Sequence, residues 1–351
     1  MIKRLISIVF LVLIFLFLAD GRIWIYLKNL QQVSSQPIQQ SLVSNKILTI
    51  EKVPEAIIAQ PLPAKSKNLS SEDINKVEHI VLEQINQDRL KYGLSPVVWD
   101  ETAMKSARQH VQEEADNGYI SHWGFDGAKP QLRYTHGGGL DAVDENESVS
   151  LWLEGGFEGV SVSELQKIVS EHQASMLNEK PPNDGHRKNI LDSHHTGVGI
   201  AISVGKYGVA MAQEFTNHYA VFNPVPLTAS PGSTITLSGR ILPGYQITGI
   251  YAVWEQTPHS MSKEELMQTH SYSDPPFDNL HFFAKPNGNR YYVAIGSNKI
   301  FAKNVNLDRE GNFSLAVPLL DKKALDYISI EIAPINNIND KFNAGQFVVE
   351  H

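Results

Sequence analysis

The sequence predicts an α+β layered domain followed by a small all-β sandwich, the pair carried behind an N-terminal membrane segment. Three observations carry this prediction. Lys3 and Arg4 precede an apolar run over residues 5–19, the layout of a signal sequence or signal anchor. From Ser70 onward apolar residues recur at helical spacing, and past His186 the period becomes extended. Residues 230–351 consist of short β-branched or aromatic runs separated by Gly, Pro, Asn and Asp. At 351 residues the chain exceeds one typical core. It divides into a signal anchor or signal peptide (1–27), a flexible linker (28–69), the layered domain (70–219), a second linker (220–229) and the β-sandwich (230–351).

Each element has a local reason. The positive flank holds the N-terminus inside and sends the remainder outside. Ala19 and Gly21 are small residues suited to cleavage, whereas "IWIYL" resumes the apolar character and Trp24 and Tyr26 suit an interfacial belt. The segment is therefore read as a single-pass anchor, with a cleaved, secreted form as the alternative. Residues 28–69 are rich in Gln, Ser, Lys and Pro without a period, as a tether is. A first helix opens on a Ser70-x-x-Asp73 capping box, carries Val77, Val81 and Ile85 four apart, and ends at Gly93. A second starts near Glu101 with a small-residue stripe of Ala103, Ala107, Val111 and Ala115. A third spans 161–178 behind a Ser161-x-x-Glu164 box, with Leu165, Ile168, Val169 and His172 on one face, and Pro181 and Pro182 stop it. "TGVGIAISVGKYGVAMAQEF" predicts two strands around a two-residue loop, Gly205 and Lys206, with the domain ending near Tyr219. In the sandwich, "STITLSG", "QITGIYAVWE", "RYYVAIG", "NFSLAVPL" and "YISIEIAP" read as strands of an Ig-like fold, and "SKEELMQT" as a short helical insertion. No catalytic constellation lies there, so its expected role is a spacer or a binding module.

Composition excludes several functions. The net charge of −8 and pI near 5.9 leave no basic footprint for nucleic acid. Without cysteine there is no disulfide, no thiolate nucleophile and no Cys-type zinc site, so any metal must use His and carboxylate. His-Glu-x-x-His, Gly-x-Ser-x-Gly and Walker-type stretches are absent from the sequence. A dispersed Ser-His-Asp set is recognised by geometry rather than by sequence position, and stays open.

The unusual residues cluster in four segments of the layered domain. "NGYISHWGFDG" carries His122, "GGGLDAVDENES" leads to Glu145 and Asn146, and "MLNEKPPNDGHRKNIL" supplies Glu179 and His186. All are expected at element ends or in loops, where scaffolded sites usually lie. Each has a duller reading: His122 packed beside Trp123, Glu145 satisfying backbone donors, His186 starting the helix "HRKNIL". Asn86, Arg89, Arg187 and Asn189 read as packing and capping groups, His110 and His172 as core or rim, and His194 with His195 as a solvated turn.

Taken together, "INQDRLKYGLSPVVWDETAMKSARQHVQ", "YISHWGFDG", "DEN", "GHRKNIL" and "TGVGIAISVGKYGVAMAQEF" resemble the CAP superfamily (cysteine-rich secretory proteins, antigen 5 and pathogenesis-related proteins) in its cysteine-free bacterial form, over residues 74–219. The resemblance implies an α-β-α sandwich with a central cleft lined by two histidines and two acids. By motif these are His122, Glu145 and His186, with Glu179 as the second acid because Met176 takes the position of a tryptophan found three residues before it in many relatives. Glu171 is the fallback for that acid. The turn at Asn183, Asp184 and Gly185 would let His186 face His122, and the pair would suit Zn²⁺ or another divalent cation with open positions for ligand. A carboxylate could instead orient a histidine through its second ring nitrogen. The function implied is an extracytoplasmic cleft that binds a lipid, peptide or cell-envelope ligand. The alternatives are a metal-dependent, peptidase-like hydrolase with Glu145 and Glu179 as candidate catalytic groups, and a structural or adhesive envelope protein whose cleft is vestigial.

Overall fold

The computed structural model describes residues 69–152, 156–269, 271–272 and 308–351 in full and, for five further strands, the backbone alone. Two of those strands, β1 (Phe17–Ala19) and β2 (Arg22–Trp24), pair antiparallel, and β2 continues onto Leu151 and Ser150 at the edge of the main sheet. In this part of the expected membrane segment the backbone is extended, because an open strand edge offers unpaired N–H and C=O groups. The rest of residues 1–27 and the linker to residue 68 lie outside the described residues, as does the predicted strand "RYYVAIG". Among the described residues no helix is long and apolar enough to cross a membrane.

α1 (Ser71–Lys91) begins where the sequence places it. Ser70 Oγ accepts from the Asp73 N–H at 3.1 Å, and Asp73 accepts from the Ser70 N–H at 3.1 Å. After β3 (Val98–Trp99), Asp100 caps α2 (Glu101–Asn117), which leaves through Gly118 in the left-handed region at φ 69°. α3 (Pro130–His136) was not foreseen; Pro130 at its first position lacks an N–H that the helix could not have paired. β4 (Ala142–Leu151) is the larger correction, because the stretch expected as a glycine-loosened lead-in is a ten-residue strand with nearly every residue buried. α4 (Val162–Leu177) opens on the Ser161 box and ends at Asn178, ahead of the prolines. α5 (Gly185–Ile190) carries His186 in its first turn. β5 (Gly197–Val204) and β6 (Gly208–Asn217) form the expected hairpin around residues 205–207, one residue more than predicted, closed by the Gly205 N–H on the Gly208 carbonyl at 2.9 Å.

The sheet runs β1-β2-β4-β6-β5-β3, with two unlike faces. Val198, Ile200, Ile202, Val209, Met211 and Phe215 pack under α1 and α4, where Val77, Val81 and Ile85 are fully buried, each contributing about 1.5–3 kcal/mol relative to exposure. The alternate positions are small: Ala201, Ala210 and Ala212 meet Ala107, Val111 and Ala115 of α2. A Cβ on Gly199 would lie 2.0 Å from the Met104 nitrogen, so only glycine admits this close approach. The result is helices on both faces of a mixed sheet.

The C-terminal region is all-β apart from one short helix. β7 (Ala220–Phe222) lies inside the stretch expected as linker. It is followed by β8 (Thr234–Ile241), β9 (Tyr245–Glu255), α6 (Lys263–Leu266), β10 (Leu280–Ala284), β11 (Ile300–Ala302), β12 (Asn306–Leu307), β13 (Asn312–Pro318), β14 (Leu325–Pro334) and β15 (Phe342–Glu350). Sheets ordered β11-β10-β9-β14-β15 and β12-β13-β8-β7 enclose a core that includes Leu237, Ile250, Val317, Ile328 and Phe347. β10 and β11 pair parallel, whereas β9, β14 and β15 pair antiparallel.

The two regions dock through α3 and the segment after β9. Ala128 and Leu132 pack on Leu325, Tyr327 and Val348. The Met261 N–H donates to the Phe125 carbonyl at 2.8 Å, Lys263 Nζ to the Asn117 carbonyl at 2.6 Å, and Lys129 Nζ lies 2.5 Å from Glu255.

Candidate functional site

The site is organised by the alternation of β4, whose successive side chains point to opposite faces. Glu145 registers with Glu214 and Glu147 with Ala212 on β6, which places them on the α2 face. Asn146, Ser148 and Ser150 take the α4 face, where His172 bonds Ser148 at 2.8 Å and Ser150 at 2.9 Å. Asn146 reaches the His186 carbonyl at 3.2 Å and accepts from Asn189 at 3.0 Å. Glu145 therefore lies mid-sheet, not in a loop as expected, and its charge is tolerated there because cationic and imidazole partners meet it.

The four predicted residues form two matched pairs. His122 Nδ1 lies 2.9 Å from Glu145 Oε1, and His186 Nδ1 lies 2.7 Å from Glu179 Oε1, with Glu179 Oε2 accepting from the His186 N–H at 3.0 Å. The pairs come from opposite layers. His122 approaches from the α2 side, while the backbone of His186 is held on the α4 side by Asn146. Between them runs the edge of β4, where the Glu145 N–H donates to the Tyr272 hydroxyl at 2.8 Å. The Tyr272 ring packs edge-on to His122 at 4.8 Å, so the β region packs directly against this pair. Glu171, the fallback acid, sits on the outer side of α4 facing Lys167 at 3.9 Å, away from the site.

Residues 82–223 match the CAP family, described as the Cysteine-rich secretory protein family. The chain carries a CAP domain. It is 29% identical over 143 residues to the Bacillus subtilis (strain 168) protein YkwD, covering 40% of this chain and 49% of that one. It is 24% identical over 159 residues to the membrane protein YlbC of the same organism, covering 44% and 40%. The chain thus spans about half or less of the curated relatives it matches. A solved extracellular protein containing an SCP domain from Bacillus anthracis str. Ames aligns at 24% identity and a TM-score of 0.32, covering 43% of this chain and 45% of that one.

Within the CAP domain the electrostatics define the state of the Glu145–His122 pair. Burial pushes the Glu145 carboxyl up, but the Arg133 guanidinium at 2.6 Å and the His122 ring outweigh it and hold the group well below the usual carboxylate range. Burial lowers His122 despite Glu145, so its imidazole is neutral near pH 7, with the Nδ1–H donating to the carboxylate. A charge on His186 lowers His122 further, so the two rings sense each other. In both pairs the hydrogen bond falls on Nδ1, which leaves Nε2 as the nitrogen for a metal or ligand. Among the described residues the donor sets close enough to share an ion are His122 with Glu145 and Glu147, and His110 with Glu114 and Glu147, and His186 falls in neither.

Sequence reasoning missed several residues here. Arg133, from the unforeseen α3, also donates to the His122 carbonyl at 2.9 Å and positions the loop. Glu147 and Glu214 flank Glu145, and burial drives both carboxyls well above the usual range. His110, expected as core or rim, is 2% exposed, lies 2.8 Å from Glu147 and is held neutral by burial, its pKa lowered to about 3. The available signal was the i, i+4 spacing of His110 and Glu114 opposite the alternation in "DENES". Asn86, Arg89, Arg187 and Asn189 act structurally, as read: Arg89 alone bonds four carbonyls, of Ser95, Ile190, Asp192 and His195. His194 and His195 are no solvated turn. His195 is buried against Phe215, and His194 bridges Asp192 and Asp340.

Proposed function

We propose that the CAP domain binds an extracytoplasmic ligand in the cleft between the two histidine–carboxylate pairs, through a divalent cation at His122 and His186. The observation that carries this reading is the shared polarity of the pairs. Each ring gives Nδ1 to a carboxylate, which leaves Nε2 outside that bond, the arrangement that metal-ligating histidines adopt. The run behind Lys3 and Arg4 supports an extracytoplasmic location, anchored or secreted, and the name of the relative YlbC, a membrane protein, agrees with it.

Binding is favoured over hydrolysis for a physical reason. A hydrolase needs a general base poised near the working pH, and Glu145 is held far below that by Arg133 while already engaged by His122. Titration of the purified full-length chain with Zn²⁺ tests the proposal. The wild type is expected to bind, with the same equivalent lost in His122→Ala and in His186→Ala. If neither substitution changes metal uptake, the cleft reading fails and the structural or adhesive role takes its place. Peptide turnover abolished by Glu145→Gln would instead establish the hydrolase.

A further inference from the structure

Behind the cleft, on the α2 face of β4, a second set of donors converges. His110 and Glu114 lie one turn apart on α2, Glu147 faces them from β4, and one ligand atom from each lies within 4.8 Å of the others. His110 Nε2 is 2.7 Å from the Ser121 carbonyl, 2.8 Å from Glu147 Oε1 and 3.9 Å from Glu114 Oε1, so the carbonyl is a further oxygen at this site. All three residues are at most 3% exposed. Glu114 Oε2 has no hydrogen-bond partner, and the Glu147 oxygens make no hydrogen bond although Oε1 lies 2.8 Å from His110 Nε2 and Oε2 3.3 Å from His122 Nδ1. A native fold rarely leaves buried carboxylate oxygens in that state without an ion or water to explain it.

Charge balance points the same way. Glu114, Glu145, Glu147 and Glu214 are all buried, and Arg133 is committed to Glu145. Glu214 has a short contact from the Ser106 hydroxyl and Glu114 receives the Ser121 N–H at 3.0 Å, so the least satisfied member is Glu147. Two carboxylates and a neutral imidazole match the charge of one divalent ion, and this mixed nitrogen and oxygen set suits a first-row cation such as Zn²⁺ or Mn²⁺. A pocket of about 280 Å³ lined by His110, Glu113, Asp126 and Arg133 opens on the His110 side of the set.

We propose that His110, Glu114 and Glu147 form an inner divalent-cation site, next to the His122–Glu145 pair that Glu147 also touches, which neutralises the buried acids under β4. Its occupant would act structurally, tying α2 to the central strand.

The full-length chain, stripped with a chelator, is titrated with Zn²⁺ and with Mn²⁺ while bound metal is counted by elemental analysis. One equivalent is expected to vanish in His110→Ala and in the shape-preserving Glu147→Gln, and to persist in His186→Ala. Bound metal should raise the Tm of the wild type and leave that of Glu147→Gln unmoved, with the fold of the variant checked by circular dichroism. Retention of every equivalent in Glu147→Gln overturns the inner site, as does a wild type that binds no metal. Loss of one and the same equivalent in Glu147→Gln and His186→Ala would mean a single shared ion and likewise overturn it. Loss confined to His122→Ala and His186→Ala would uphold the cleft while removing the inner site.

Discussion

The two faces of β4 solve the same problem in different ways. On the α4 side Asn146, Ser148 and Ser150 are neutral and meet Gln213, Asn189 and His172 in hydrogen bonds of 2.8–3.3 Å. On the α2 side Glu145 and Glu147 bring charge into the same sheet, where one guanidinium serves several carboxyls. A neutral network is complete once its donors and acceptors pair. A charged one also needs net charge near zero, so it depends on an outside proton or cation. The candidate chemistry lies on the face that the fold leaves unbalanced.

The sharpest way to break that contrast is Arg133→Met, which leaves Glu145 buried without its cation. Urea unfolding should show a loss of about 3–5 kcal/mol, and adding Glu145→Gln should recover part of it. An unchanged midpoint would mean that the ion pair does not hold this face. On the neutral side His172→Ala strands the Ser148 and Ser150 hydroxyls, with an expected cost of about 2–4 kcal/mol by the same measurement. Equal losses on the two faces would erase the distinction.

A third test uses pH. His218, beside Asp100 at 3.2 Å and Asp141 at 3.0 Å, has its pKa raised to about 10 by those two carboxylates. Its folded value exceeds its unfolded value, so its stabilisation is complete below about pH 6.5 and disappears as pH rises through about 10. His218→Gln should flatten the stability profile across that window, as thermal unfolding at stepped pH would reveal. The smallest effect is expected where the β region packs against this pair: Tyr272→Phe removes the acceptor for the Glu145 N–H and should cost about 1 kcal/mol. A shift of several times that size would make Tyr272 a main tie between the two regions.

Much of the frame was legible because it rests on local chemistry. The Ser70 and Ser161 boxes and the short Ser262 helix appear where the sequence places them, since a cap needs only residues within one turn. The alanine stripe of α2 met the small face of the sheet for a comparable reason. β4 was invisible because "DENES" lacks the β-branched and aromatic residues that mark a strand, its stability coming instead from partners on β6, α2 and α4. His122, Glu145, Glu179 and His186 were named from motif, yet nothing local showed that they would assemble as two pairs.

The sequence alone determined which segments become helix or hairpin and which side chains carry titratable chemistry, because caps, periodicity and residue type act over a few positions. Tertiary structure decided the rest: that a strand of acids would be buried, that Arg133 and Tyr272 would reach it from elsewhere, and that His110 would face Glu147. Those outcomes depend on desolvation and long-range pairing, which act only after the sheet has closed.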